Sequence, residues 1–430
     1  MISTKLFILI AIVISNIYDV ISWRVADGQR KKPLPDEVAD IYDSERYQKY
    51  LEYTADNKRL SFKYKVIEGV TDLILIFSPI YSAIEKMCHS NPYLITLVTL
   101  LIVDIVAGIS HWFSEYERTF TVEEKYGFNK KDLKEFVKDF MLEQLLSFVL
   151  MIVILEFITF VIENLFKWTN GFEVSVANSI IITTAMVGAF FIIIVLMQRL
   201  SYVMLKKQYV FTPLEDGPLR DKILAFQEGA KKKTDKIYIY NESKKSTSKN
   251  AFLLKIIGRR EFGIADNFMN ENDEKELLAV LSHEVGHLKH KKNLLNYLSY
   301  SVYVVLYIII IFSLINPGIF QMLAAWIRSS FSIEVNNYYL LVVTVTWITK
   351  PVLWVYSIFN NYRSRCEERE ADREAVKNGY GNELIATFKQ MSTDELINVN
   401  PHPFIEFTEY SHPGMYQRIK AINEAIIDKG

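Results

Sequence analysis

The sequence predicts a mostly helical integral-membrane protein of seven spans, with one polar segment folding in part as a small β-sheet. Half of the 430 residues are hydrophobic, and they gather into long blocks separated by strongly charged stretches. A helix needs about 20 mostly apolar residues to cross a bilayer, and seven blocks come close to that length. Lys and Arg crowd alternate connections between the blocks, as a threaded membrane protein requires. Between the fifth and sixth blocks the pattern changes to short alternating runs, the signature of strands.

The blocks run from about Leu6 to Trp23, Val66 to Met87, Pro92 to Phe113, Phe140 to Phe166, Val174 to Leu200, Leu294 to Asn316 and Tyr338 to Ile358. The second is interrupted at its start by Glu68 and Asp72. The first begins basic at Lys5, but lacks the small-x-small site of a cleaved leader. Asn16, Tyr18 and Asp19 follow its apolar core, so it reads as a retained helix. Asp104, Glu143, Glu156 and Lys350 also fall within spans. Charge facing lipid costs several kcal/mol, so such groups face an interior or water-filled space, or reach the interface. Asp72 and Glu143 fit either placement.

Positive charge follows spans one, three, five and seven: Arg30, Lys31, Lys32, Lys58 and Arg59; Lys125, Lys130 and Lys131; Lys206, Lys207, Lys231, Lys232 and Lys233; Arg363 and Arg365. The remaining connections carry little beyond Lys86, Lys167 and Arg328. The N-terminus is therefore expected on the lumenal side and the C-terminus in the cytosol. The two cysteines, Cys88 and Cys366, fall on opposite faces in that topology and are not expected to pair. A balance of 49 basic against 50 acidic residues gives no basic surface for nucleic acid. Four segments follow: 1–200 with spans one to five, the polar 201–293, 294–362 with spans six and seven, and the C-terminal 363–430.

In the polar segment, Lys236–Tyr240, Ala251–Ile257 and Glu261–Ala265 read as strands, with a turn at Gly258. Glu274–His287 reads as a helix, with acids in its first turn and lysines beyond its end, as the helix dipole favours. It carries His283-Glu284-Val285-Gly286-His287. Histidines at i and i+4 share one helical face, and both imidazoles can bind one Zn²⁺ at about 2.0–2.1 Å. Glu284 projects beside that ion, placed to take a proton from the attacking water and return it to the leaving amine. His290 lies outside the pattern, in a basic run, and reads as a solvated or interfacial residue.

A catalytic zinc needs a third protein ligand and an open position. Glu368 is the candidate, in Ser364-Arg365-Cys366-Glu367-Glu368-Arg369-Glu370-Ala371-Asp372. Two spans separate it from His287, which returns the chain to the same face. Glu367 and Glu370 are rivals in this charge-rich stretch. Glu368 and Asp372 stand at i and i+4, so one can meet the metal while the other takes the second N–H of a ligating histidine.

These residues resemble the type I CAAX prenyl proteases, integral-membrane zinc peptidases of gluzincin type. Leu281-Ser-His-Glu-Val-Gly-His287 is similar to that family's zinc helix, and Ser364-Arg365-x-x-Glu368-x-x-Ala371-Asp372 to its third-ligand motif. Thr119–Asn129, Phe211–Leu214 and Tyr410-Ser411-His412-Pro413 with Arg418 resemble further family motifs. The resemblance implies a barrel of seven transmembrane helices around a large polar chamber, with the zinc site at its cytosolic end. It implies removal of the last three residues from a prenylated Cys-aliphatic-aliphatic-X protein, with a second upstream cut in some members. It implies residence in the membrane of the endoplasmic reticulum or inner nuclear envelope. By position, Asn250-Ala251 matches the edge strand that pairs with the substrate backbone. His412 would donate to the oxyanion and Arg418 would support it at the substrate. Ser248 stands where the family often has a histidine. Two other readings remain: a quality-control membrane protease of the same clan acting without a prenyl group, and a seven-span receptor or transporter with an incidental metal site.

Overall fold

The computed structural model describes residues 2–168, 176–230, 233–256, 259–271, 273–289 and 294–428. The expected turn at Gly258, His290 and the start of the fifth span at Val174 lie outside them. Five helices are each long and apolar enough to cross a bilayer: Thr4–Arg30, Pro92–Tyr126, Leu133–Asn164, Ile180–Gln208 and Tyr338–Lys377. The other two expected spans are bent pairs. Ser44–Phe77 turns by 56° into Ile80–Met87, and Val304–Phe312 by 78° into Pro317–Phe331. Counting each pair once gives seven.

Proline explains both breaks. It has no N–H to donate and pushes the preceding residue out of the helical region. Ser78, before Pro79, is extended at ψ 158°, and Asn316, before Pro317, sits at ψ 117°. The Asn316 side chain then caps the new helix by accepting from Ile319 N–H at 3.1 Å. The sequence reading differs from the structure at both places. Its second span starts at Val66, whereas the helix starts at Ser44, capped by Asp43 accepting from Arg46 N–H at 2.7 Å. Its sixth span stops at Asn316 and leaves Pro317–Phe331 unassigned.

The first helix is tied into the fold at its outset. Trp326 Nε1 donates to the Ile2 carbonyl at 2.7 Å, and Thr4 N–H to Ser330 Oγ at 2.8 Å. Beyond its end, Asp36–Val38 forms one tight turn. Val38 is fully buried there against Leu396, Val399 and Ile419. Tyr42 Oη lies 2.7 Å from the carbonyl oxygens of both Ser392 and Ile397, which share its one proton. The N-terminal and C-terminal thirds of the chain thus close on each other.

The polar segment holds a four-stranded sheet: β1 (Phe211–Pro213), β2 (Ile237–Tyr240), β3 (Ala251–Ile256) and β4 (Arg259–Ala265), in the order β1-β2-β4-β3. β2 and β4 are parallel, and the outer pairs antiparallel. β1 is an addition to the expected strands; three residues are too few to show an alternating pattern. β3 forms an edge. One face of the sheet buries Ile237, Phe262 and Ile264 against Leu277, Leu281 and Val285 of the helix Glu274–Lys289. At roughly 1.5–3 kcal/mol for each buried side chain of this size, that face fixes the motif helix to the sheet.

Candidate metal centre

Two helices build the centre. Glu274–Lys289 carries His283, Glu284 and His287. The other, Tyr338–Lys377, is a single 40-residue helix: it does not end with the apolar block at Ile358 but runs on through Glu368 and Asp372. Glu368 therefore rides on a rigid extension of a membrane helix rather than on a separate loop.

The helices cross at Gly286. A Cβ built there would lie 2.7 Å from Ala371 Cα and 3.1 Å from Ala371 Cβ. Glycine in a helix costs about 1 kcal/mol relative to alanine, so its presence here reflects the close approach. Gly286→Ala is expected to lower the melting temperature, with an overpacking cost of about 1–3 kcal/mol outweighing the gain in helix propensity. The clash is with backbone, which no rotamer change relieves. A melting temperature at or above wild type would show that the helices can separate freely.

That contact brings the donors together. His283 Nε2 lies 3.5 Å from Glu368 Oε2, and His287 Nε2 lies 3.3 Å from Glu368 Oε1. One donor atom from each of the three falls within 4.8 Å of the others. Ligands bound to one tetrahedral ion at about 2.0–2.1 Å stand about 3.3 Å apart, so the donor spacing fits a single cation. The rivals face elsewhere: Glu367 accepts from Arg363 at 2.6 Å, and Glu370 is exposed.

Behind the donors lies a buried layer. His283 Nδ1 is 2.8 Å from Asp372 Oδ1. With a metal bound, that contact would keep the proton on Nδ1 and leave Nε2 as the ligand. Arg418 grips the same aspartate from below, through Nε at 2.9 Å and a terminal nitrogen at 2.6 Å. Its guanidinium stacks on Phe388 at 4.1 Å and lies 3.6 Å from Glu368. Burial disfavours charge on these groups, but opposite charges outweigh it. Burial alone would lower His283; its bonds to Asp372 and Glu368 push it up to about 9. Burial would raise both carboxyls, yet the histidines hold Glu368 far below the usual range, and Arg418 with His283 lowers Asp372. The cluster is a set of paired charges, the condition for burying charge at all.

Glu284 stands half-buried on the donor side, its Oε2 accepting from Leu253 N–H at 3.1 Å. Leu253 therefore points its amide away from β4, along the free edge, as do residues of the same parity, Ala251 and Lys255. Lys255 Nζ donates to the His287 carbonyl at 3.2 Å. Asn250 is exposed at the head of β3, and its carbonyl accepts from Ala265 N–H at 2.9 Å. Ser248, in the place of the family's histidine, donates to Glu395 at 2.8 Å. His412 comes from a third direction, on an exposed loop, with Nε2 3.4 Å from Glu368 Oε1.

The structure thus brings His283, Glu284, His287, Glu368, Asp372 and His412 to one place, beside the edge that begins at Asn250 and Ala251. Arg418 differs from its expected position. It is only 7% exposed and committed to Asp372 beneath the donors, not at the substrate face. Sequence reasoning missed Gly286 and Lys255. A glycine in the middle of an otherwise strong helix was the available signal for the first; Lys255 sits in an ordinary strand and gave none.

A mostly helical, multi-span protein with such a donor set beside a carboxylate and an open sheet edge is a membrane-embedded metallopeptidase. Family models cover nearly the whole chain: CAAX prenyl protease N-terminal, five membrane helices, over residues 25–198, and peptidase family M48 over residues 213–426. The chain belongs to peptidase family M48, in its CAAX prenyl protease group. It is similar to a CAAX prenyl protease 1 homolog of Arabidopsis thaliana, 24% identical with 91% of this chain matching 90% of that one. A probable CAAX prenyl protease 1 of Schizosaccharomyces pombe is 27% identical, matching 93% of this chain and 84% of its own. The crystal structure of S. mikatae Ste24p superposes with a TM-score of 0.76 at 21% identity, over 98% of this chain and 99% of that one. The last match shows a common fold.

Proposed function

We propose that this protein is a zinc-dependent endopeptidase that removes the last three residues of prenylated Cys-aliphatic-aliphatic-X proteins. The observation that carries the reading is the donor triplet, His283, His287 and Glu368, held between two helices beside Glu284 and the free edge of β3. Two imidazoles and a carboxylate suit zinc. Bound there, zinc would supply a Lewis acid and make water acidic enough to attack at neutral pH. The names of the relatives favour a CAAX substrate over general membrane quality control.

In this mechanism the substrate adds as a strand to β3, its backbone meeting the free groups of Ala251 and its neighbours, with Asn250 fixing the register. That addition competes for Leu253 N–H, so seating the peptide frees the Glu284 carboxylate. Glu284 takes the proton of the attacking water and delivers it to the amine leaving from the first of the three released residues. His412 donates to the carbonyl oxygen as negative charge develops on it. Asp372 holds the His283 ring, and Arg418 holds Asp372. The polar chamber that the family resemblance implies among the membrane helices would take the released tripeptide and the body of the substrate. The basic connections favour the cytosolic face for this site, and the family resemblance implies the membrane of the reticulum or inner nuclear envelope.

The test uses the purified protein with a farnesylated CaaX peptide and its non-lipidated twin, with and without a zinc chelator, read by mass spectrometry. Loss of the tripeptide from the farnesylated peptide alone, abolished by chelator and restored by zinc, is the expected result. Equal cleavage of the bare peptide would favour a quality-control role instead, and chelator-resistant cleavage would exclude the metal site.

A further inference from the structure

Unlike the three metal donors and Glu284, which ride on helices, His412 sits on a loop. Its side chain is 62% exposed, and among the described residues its ring bonds only its neighbour, at 3.0 Å to Ser411 Oγ, besides its approach to Glu368. An oxyanion donor must be fixed before the charge develops, or its reorganisation adds to the barrier. Something other than its own bonds must therefore hold this loop.

We propose that Arg365 is the positioning residue for His412, acting through the end of the short helix Pro403–Glu409. The last carbonyls of a helix have no partners within it. Arg365 serves this end: one terminal nitrogen donates to Tyr410 O at 2.5 Å and to the Glu406 carbonyl at 2.8 Å, which also accepts from Tyr410 N–H at 3.3 Å, and the other donates to Phe407 O at 3.4 Å. Asn361, one turn earlier on the same long helix, donates to Thr408 O at 3.3 Å. Tyr410 lies two residues before His412, so the clamp ends where the loop begins. The far side is held separately, by Gly414 packed against Pro401, where an added Cβ would meet the proline ring at 2.7 Å.

Arg365 is 5% exposed, so its fork is spent on these carbonyls rather than on solvent. It stands one turn before Glu368 on one rigid helix. The metal donor and the anchor of the oxyanion donor therefore share a register. Lysine cannot replace the fork: its single ammonium cannot serve two separated carbonyls in a fixed plane.

The proposal rests on the oxyanion role given to His412, and the test separates the two. Arg365→Ala, His412→Ala, the double variant and Arg365→Lys are compared with wild type on the farnesylated peptide, together with metal content and amide hydrogen exchange. Arg365→Ala is expected to lower kcat about a hundredfold, as His412→Ala does, the usual loss for one such donor. KM and metal content should stay near wild type. The double variant should be no worse than His412→Ala, and Arg365→Lys should recover part of the loss. Exchange at 411–414 should quicken in both Arg365 variants while that of 274–289 is unchanged. Losses that multiply in the double variant would overturn the proposal, as would unchanged exchange at 411–414. Where Arg365→Ala does not fold, Arg365→Lys carries the same decision. An inactive wild type would sink the functional reading, yet exchange would still decide whether Arg365 anchors the loop.

Discussion

Glu284→Gln is expected to remove peptide cleavage while the protein keeps its metal, its fold and its membrane insertion. Glutamine has the shape of glutamate and can still turn its carbonyl oxygen to Leu253 N–H, replacing the bond seen at 3.1 Å. The donors His283, His287 and Glu368 are untouched. What disappears is the capacity to accept and return a proton. General acid–base groups contribute about 10²–10⁴-fold, and here one carboxylate serves both the attack and the departure of the amine. The expected loss lies at the upper end of that range. Metal analysis should give about one equivalent per chain in wild type and variant alike. Undiminished turnover would mean that another group moves the proton. Lost metal would mean that the carboxylate serves the site structurally. Neither result is compatible with the role assigned to it.

Much of this centre could be read from the chain because its parts lie close in sequence. His283, Glu284 and His287 occupy two turns of one helix, and a 3.6-residue repeat alone puts the imidazoles on one face. Glu368 and Asp372 were legible as a pair by the same spacing. Their rivals Glu367 and Glu370 differ from Glu368 only in the direction they face, which depends on where the second helix crosses the first. That crossing is set by Gly286 against Ala371, a contact between residues separated by two spans. Arg418 shows the limit most clearly. The family resemblance implied a substrate contact for it, but packing of the last helix on Phe388 and Asp372 turns it inward. Spans were legible as apolar blocks, yet hydropathy is blind to a bend. Pro79 and Pro317 were visible in the sequence, and the 56° and 78° turns beside them were not. Helix length escaped for a related reason: beyond Ile358 the sequence becomes charged without a glycine or proline to end the helix, and it continues to Lys377.

Glu368→Gln is expected to strip the metal as well as the activity. The neutral amide fills the same space, so packing against the imidazoles survives and the effect reports charge and donor strength. Burial disfavours a charge at this position, and the histidines beside it nevertheless hold the group ionised. A carboxylate 3.5 and 3.3 Å from two imidazole nitrogens completes a donor set that suits a cation. Losing an outer partner of a metal ligand costs about 10–100-fold in affinity; losing a ligand should cost more. Asp372→Asn gives the comparison within the same protein. Competition against a chelator of known affinity should rank the variants as wild type, then Asp372→Asn, then Glu368→Gln. Glu367→Gln and Glu370→Gln should bind as wild type does, because one side chain is paired to Arg363 and the other lies at the surface. Wild-type affinity in Glu368→Gln with a loss in either neighbour would mean that the long helix is rotated from the position described, and the third donor would then have to be sought among the residues that rotation brings round.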